Sequence, residues 1–481
     1  MTASPSQLER GIAITGLLFN ALIGAHLYFE PALFTYFGTP VLILGLAVIA
    51  LTTRLFRYNV VYQSRVLLLV VIGYWAGFVK WIDPEAAFSP LGTEVQTFDI
   101  GVQMLALTNI ALLGAAAGLM VAGRKLYSEG ARGVSITFPY SSSQCLFVFC
   151  TVIVLITGAL SARSYGPSVL EGGYAEGEGK GQLLGNLQSM GVICLVVAWI
   201  AGLRLRHPWT KYFLAALTVY YLGWGIFIRG GRLEVLGGIL ALTAGLPAAR
   251  GKLMRLRWYH YAGVILHAIF MEAWGTLRGT LHEQSITSET GSDILVGYKA
   301  LQEAGIYHAG TISAIATTFS NTLHMIAHQV VHFRYGSSYF DYLLRTPPEF
   351  MYPGRPPSLA WMFDDYGYQA LGGFFELAEA YLNFGIFGCL VIPFLVSWFL
   401  STCYRKTFRG SFFWYVVLIA MLSVFFRGAW YQTFAFYKAV VTGMILYLGF
   451  WVAAQLGARG RRPPVADEAA RKNLGDEPER A

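Results

Sequence analysis

Apolar runs, most of them 17 to 26 residues long and nearly free of charge, follow one another from residue 11 to residue 455, with polar stretches between them. A hydrocarbon core about 30 Å thick needs roughly 20 residues of helix to cross it. Inside that core the backbone can satisfy its own N–H and C=O groups only as a helix or a closed barrel. The pattern therefore predicts an all-α, polytopic integral membrane protein with about twelve transmembrane helices. They fall near 11–29, 32–52, 65–82, 99–123, 143–161, 187–203, 211–228, 233–249, 258–275, 376–401, 411–427 and 434–455. Residues 1–275 would hold the first nine helices and residues 376–456 the last three. The tail, 457–481, is polar and is expected to be disordered. The first run, "GIAITGLLFNALIGAHLYF", is too long for the core of a cleavable signal and should stay as a span.

The connecting loops alternate in charge. Arg54, Arg57 and Arg65 lie in one. Arg124, Lys125 and Arg132 lie two loops later, followed at the same interval by Arg204, Arg206 and Lys211, then Arg250, Lys252, Arg255 and Arg257, then Arg405, Lys406 and Arg409. Every second loop is basic, the signature of positive-inside topology, so both termini are expected to be cytoplasmic. The opposite loops would face outward. The longest, 276–375, is a large periplasmic loop of the length that usually carries function. Its stretch "AGTISAIATTFSNTLHMIAHQVVHF" has helical apolar spacing and predicts amphipathic helices lying on the membrane surface. "RTPPEFMYPGRPPS" follows and should be extended.

Composition agrees with this reading. Charged residues make up 13% of the chain and mean hydropathy is +0.51, whereas soluble chains carry about 25% charge. The net charge of +8 resides in the alternating loops and is not a nucleic-acid stripe. The five cysteines sit in or beside apolar runs, and their spacing is neither a zinc site nor a disulfide framework.

Charges at membrane depth are costly and usually face a partner or a wet cavity. On the expected topology Lys80, Arg229, Arg232, Glu234, Glu272, Arg278, Glu376, Glu379, Arg427 and Lys438 all lie toward the outer side. "FIRGGRLEVLGG" (227–238) sets two arginines against the positive-inside bias. A guanidinium fork suits phosphate, and the glycines let a ligand approach the N-terminus of the next helix. Arg229, Arg232, Arg278 and Arg427 are thus candidates for a diphosphate. In "GGFFELAEAYLNFGIFG" (372–388), Glu376 and Glu379 share a helix face, with Tyr381 and Asn383 beyond them. A carboxylate there could take a proton from a sugar hydroxyl or could simply pair with Arg229 or Arg427. His324, His328 and His332 recur at helical spacing, which suits contact with phosphate or sugar better than a metal. Asp364, Asp365 and the surrounding tyrosines complete the candidate glycan-binding set.

At these residues the sequence resembles the Wzy-type polymerases of O-antigen and exopolysaccharide repeat units. The likeness is carried by "GGRLEVLGGILAL", by "AEAYLNFGIFG", by "FFRGAW", and by the plan of many helices with one large outer loop before the last few. The resemblance implies a GT-C-like fold in the bacterial inner membrane and transfer of a growing glycan from undecaprenyl diphosphate to the non-reducing end of a new lipid-linked repeat unit. It implies Arg232, Glu379 and Arg427 as the family's matching residues. Independently of the resemblance, Asp365, Asp364 and His328 are alternative bases or acceptor-side groups. The resemblance further implies undecaprenyl-diphosphate-linked oligosaccharide, membrane lipids and a chain-length regulator protein as partners, with no cofactor and no metal. An O-antigen ligase shares the arginine logic. A flippase for lipid-linked oligosaccharide would need a charged path through the bilayer.

Overall fold

The computed structural model describes residues 7–56, 59–86, 97–128, 133–164, 178–205, 207–227, 232–254, 260, 263, 266, 310–347, 352–357, 359, 361–368, 374–430 and 433–459. Among these the chain is helical and has no strand. Its helices are α1 (Gln7–Phe29), α2 (Leu33–Leu55), α3 (Val60–Ile82), α4 (Phe98–Ser128), α5 (Tyr140–Ser164), α6 (Glu178–Gly202), α7 (Pro208–Thr218), α8 (Arg232–Ala249), α9 (Gly310–Ala327), α10 (Ser337–Arg345), α11 (Trp361–Asp365), α12 (Glu376–Phe408), α13 (Phe412–Ser423), α14 (Phe425–Trp430) and α15 (Phe434–Arg459). α7 continues as a π-helical stretch, Val219–Phe227.

Among the described residues seven helices are long and apolar enough to cross a membrane: α1 to α5, α12 and α15. Leu187–Gly202, Leu233–Ala249 and Phe412–Ser423 are shorter apolar helices. The protein is therefore a membrane-embedded helical bundle. Most of the expected span 258–275 and the whole stretch from 267 to 309 fall outside the described residues.

Small residues set the closest approaches, as they do where lipid removes any hydrophobic drive between helices. Gly114 and Gly118, four apart on α4, abut the backbone of α12; a Cβ at Gly114 would lie 2.1 Å from the Leu390 carbonyl oxygen, and one at Gly118 2.2 Å from that of Phe394. Gly73 and Gly77 of α3 close in the same way on Thr108 and Leu105 of α4. These contacts fix the register: α3 runs antiparallel to α4, and α12 beyond its first turns runs parallel to it. The basic clusters consequently gather on one face of the bundle, where α2, α4, α8, α12 and α15 end and α5 begins. An extended strap stitches that face together. The amides of Gly133, Val134 and Ile136 donate to the carbonyls of Gly251, Phe408 and Ala249.

Two expectations need correction. The first concerns α12, expected as a straight span from residue 376. Gly385 has φ 61° and ψ −146°, a conformation open essentially to glycine alone. The Cys389 Sγ lies 3.6 Å from the Leu377 carbonyl oxygen. A Cβ on Gly388 would lie 2.0 Å from that of Ala380. In an unbroken helix residues 377 and 389 would be about 18 Å apart. The chain therefore folds back at Gly385. Residues 376–384 form a short re-entrant helix, and 386–408 is the span. Glu376 is the deep end of that hairpin, not the outer start of a span.

The second concerns α9. It does not lie on the bundle surface but packs among α3, α4 and α12. Ile315, Ala316, Phe319 and Leu323 are buried, and so are Thr317, Thr318, Ser320, Asn321 and Thr322. Its buried hydroxyls turn back on their own helix: Thr318 donates to the Ala314 carbonyl at 2.9 Å and Thr322 to that of Thr318 at 2.8 Å. Polarity that looked suited to an interface is satisfied locally, which allows burial.

Candidate functional site

The re-entrant helix is held at three places, each by residues of the "AEAYLNFGIFG" stretch or just before it. At its deep end Glu376 pairs with Arg65, and both side chains are fully buried. Arg65 was expected as a loop charge that sets topology. It lies instead within α3, about 8 Å along the axis from the helix start, and faces the interior. Five residues later, Tyr381 meets Tyr28 of α1 hydroxyl to hydroxyl. Near the tip, Asn383 grips the preceding loop. Its Oδ1 accepts from the Gly336 amide at 3.0 Å, and its Nδ2 donates to Ser338 Oγ and the Glu379 carbonyl, each at 2.8 Å. The amides of Arg334 and Tyr335 donate to the carbonyls of Leu382 and Asn383, each at 3.0 Å.

Glu379, one turn above Glu376, is fully buried. Ser338 of α10 donates to its Oε1 at 2.9 Å, and the hydroxyls of Tyr342 and Thr433 face the same carboxylate. Its Oε2 has no hydrogen bond of normal geometry. Burial and the nearby Glu379 carboxylate hold the Tyr339 and Tyr342 phenols well above their ordinary range, so both stay protonated.

α10 covers this carboxylate and is two-sided. Ser338, Tyr342 and Arg345 are buried, while Phe340 and Leu343 are 62% and 54% exposed. Its C-terminal end opens onto a basic cluster that the sequence only partly revealed. Lys438 of α15 lies within electrostatic range of Arg345, Arg427 and Arg355. Both Lys438 and Arg345 sit over the Phe434 ring, at 4.4 and 5.3 Å from its centre, and Tyr342 stacks on that ring at 5.1 Å. These cations come from α10, the Pro-rich stretch, α14 and α15. Arg345 opens the Pro-rich stretch and Arg355 lies within it, and only knowledge of where that stretch packs could have marked them. Arg427 also reaches Glu234 of α8 at 2.8 Å, with the two side chains 38% and 18% exposed.

The other expected site residues fare unevenly. Arg229 and Arg278 lie outside the described residues. Arg232 opens α8, and its side chain and that of Asp364 are likewise not described. Asp365 is exposed at the end of α11, so it does not share the buried setting of Glu379. The histidine stripe does not form, because α9 stops at Ala327 and Gln329 takes φ 56°. His324 and His328 still stack at 4.1 Å, and burial together with the His328 charge lowers the His324 pKa. Lys80 donates to the Pro84 and Ala86 carbonyls at 3.1 and 2.7 Å. Among the described residues no group of three His, Cys, Asp or Glu could hold a metal ion.

A buried carboxylate thus lies under a short amphipathic helix whose other end joins a cluster of cations, two of them over an aromatic ring. Such an arrangement can hold a polyanion beside a proton acceptor. No family model, curated protein or solved structure matches this chain, and the site stands on its own geometry.

Proposed function

We propose that this chain is a membrane glycosyltransferase of the oligosaccharide repeat-unit polymerase kind. In this reading it has a GT-C-like bundle of about twelve spans in the bacterial inner membrane, with both termini cytoplasmic. The gathering of Arg345, Arg355 and Arg427 around Lys438, with Arg345 and Lys438 over the Phe434 ring, carries the reading. Guanidinium and ammonium groups drawn from separate elements suit a ligand with several phosphate oxygens, and the diphosphate of a polyprenyl-linked glycan is that ligand. The cluster would stabilise charge developing on the diphosphate as the bond between it and the sugar C1 breaks. A hydroxyl at the non-reducing end of the acceptor repeat unit would form the new bond to C1 and give up its proton. Glu379 is the nearby carboxylate suited to take that proton. Because α10 covers it, the reading requires Ser338 and Tyr342 to draw aside when substrate enters. Arg229, Arg232 and Arg278 remain candidate diphosphate ligands, and Asp364, Asp365 and His328 candidate acceptor contacts.

A second reading, a transporter of lipid-linked oligosaccharide, gains from one observation. The Arg65–Glu376 pair and the broken helix at Gly385 put charge and irregular backbone inside the bundle, a feature that transporter sites share. Purified protein supplied with undecaprenyl-diphosphate-linked repeat units separates these readings. A polymerase lengthens the glycan on the lipid. A ligase leaves it unextended until a lipid A core acceptor is added. A transporter returns it unchanged but moved across the bilayer.

A further inference from the structure

On the basic face, remote from the cation cluster, a cavity of about 660 Å³ opens between the ends of α6 and α8 and the start of α5. Its lining is mixed: Ile136, Phe138, Ile200, Leu203 and Leu246 form an apolar side, and Ser135, Tyr140, Arg204 and Arg250 supply the polar groups. Among the described residues the charges lining this cavity are all of one sign. Arg204 follows α6 in a turn closed by amides donating to Ala201 and Gly202, and Arg250 follows α8 in a turn closed on Pro247. Both arginines are exposed. The strap that forms one wall runs "GVSITFPYSSS" from residue 133 to 143 without an acidic or basic residue. It is pinned by the amides of Gly133, Val134 and Ile136 and by Ser135 Oγ on the Ala249 carbonyl at 3.4 Å. The chamber is therefore preformed, and the first turn of α5 brings its N-terminal end to the same cavity, where the helix dipole also favours an anion.

We infer that this cavity binds the phosphodiester headgroup of an anionic phospholipid from the leaflet on that face, with the start of an acyl chain against Ile200, Leu203 and Leu246. Arginines that serve only topology need no chamber between them. An apolar side next to two exposed arginines fits a lipid better than a free phosphate, which would leave that side bare. The site is independent of the proposed catalysis.

Native mass spectrometry of the full chain, released from nanodiscs holding phosphatidylglycerol and phosphatidylcholine in equal amounts, tests it. The expected result is retention of phosphatidylglycerol over phosphatidylcholine, lost roughly 10–30-fold in the Arg204→Ala/Arg250→Ala double variant. The preference should persist in Arg54→Ala/Lys211→Ala, which removes charge elsewhere on the same face, and in millimolar inorganic phosphate. Equal loss in both double variants would make the effect general surface charge and overturn the site. Displacement by inorganic phosphate would overturn the lipid assignment, and unchanged retention in the Arg204/Arg250 variant would overturn both.

Discussion

Arg65 of α3 and Glu376 of the re-entrant helix form an ion pair from which water is excluded on both sides. The Nε and Nη1 of the arginine and the Oε2 of the glutamate have no further hydrogen-bond partner. Such a pair contributes little net stability, because desolvation offsets the attraction, but losing one member strands the other charge. Its structural consequence is placement. It sets the depth of the hairpin, and with it the height of Glu379 one turn above.

Arg65→Ala and Glu376→Ala should each lower stability by about 3–5 kcal/mol, read as thermal unfolding of the detergent-purified protein. Arg65→Met combined with Glu376→Met should be more stable than either single alanine variant. If the double variant is no better than the singles, the two residues do not act as a pair.

The fold-back at Gly385 predicts a bond that a straight helix forbids. With Leu377→Cys, mild oxidation should join residue 377 to native Cys389, because disulfides need Cα atoms within about 7 Å and an unbroken helix would hold them about 18 Å apart. Loss of the 389 thiol from maleimide labelling under denaturing conditions reports the bond. Continued full labelling would mean that residues 376–408 form one rod. Gly385→Ala should be destabilising on the same grounds, by about 1–3 kcal/mol.

Close packing of α4 on α12 rests on Gly114 and Gly118. Leucine at either position would collide with a carbonyl oxygen of the facing helix and should separate the two. The expected outcome is a loss of folded, detergent-extractable protein, measured by size-exclusion chromatography, whereas Gly11→Ala should be silent because nothing lies within 4 Å of its Cβ position.

Much of this architecture was written in hydropathy alone. The described helices follow the apolar runs because length and charge exclusion are properties of single segments. The sorting of Arg54, Arg204, Arg250 and Arg405 to one face was legible for the same reason. What the pattern could not show was contact between distant segments. Arg65 looks like any loop arginine until Glu376 is known to fold back toward it. The clue was present in "NFGIFG", since Gly385 between bulky apolar residues inside a span has no packing purpose unless the backbone turns. The Thr- and Ser-rich run of α9 read as an interfacial face because local back-bonding of hydroxyls leaves no periodic trace. Arg345 and Arg355 were hidden in a Pro-rich stretch whose approach to α15 is a tertiary fact.

Glu234 competes with any anion for Arg427. The pair is partly exposed and therefore worth little to folding, so Glu234→Gln should leave stability within about 0.5 kcal/mol while tightening diphosphate binding a few-fold. Weaker binding in that variant would show that Glu234 orients Arg427 for the ligand and does not compete with it.

Binding of undecaprenyl diphosphate to the purified chain, followed by the change in intrinsic tryptophan fluorescence, tests the central claim most directly. The account predicts saturable binding that inorganic diphosphate displaces, weakened at least tenfold by Arg355→Ala and by Lys438→Ala, each charge-assisted contact being worth about 1.5–3 kcal/mol. Equal affinity in wild type and both variants would contradict it.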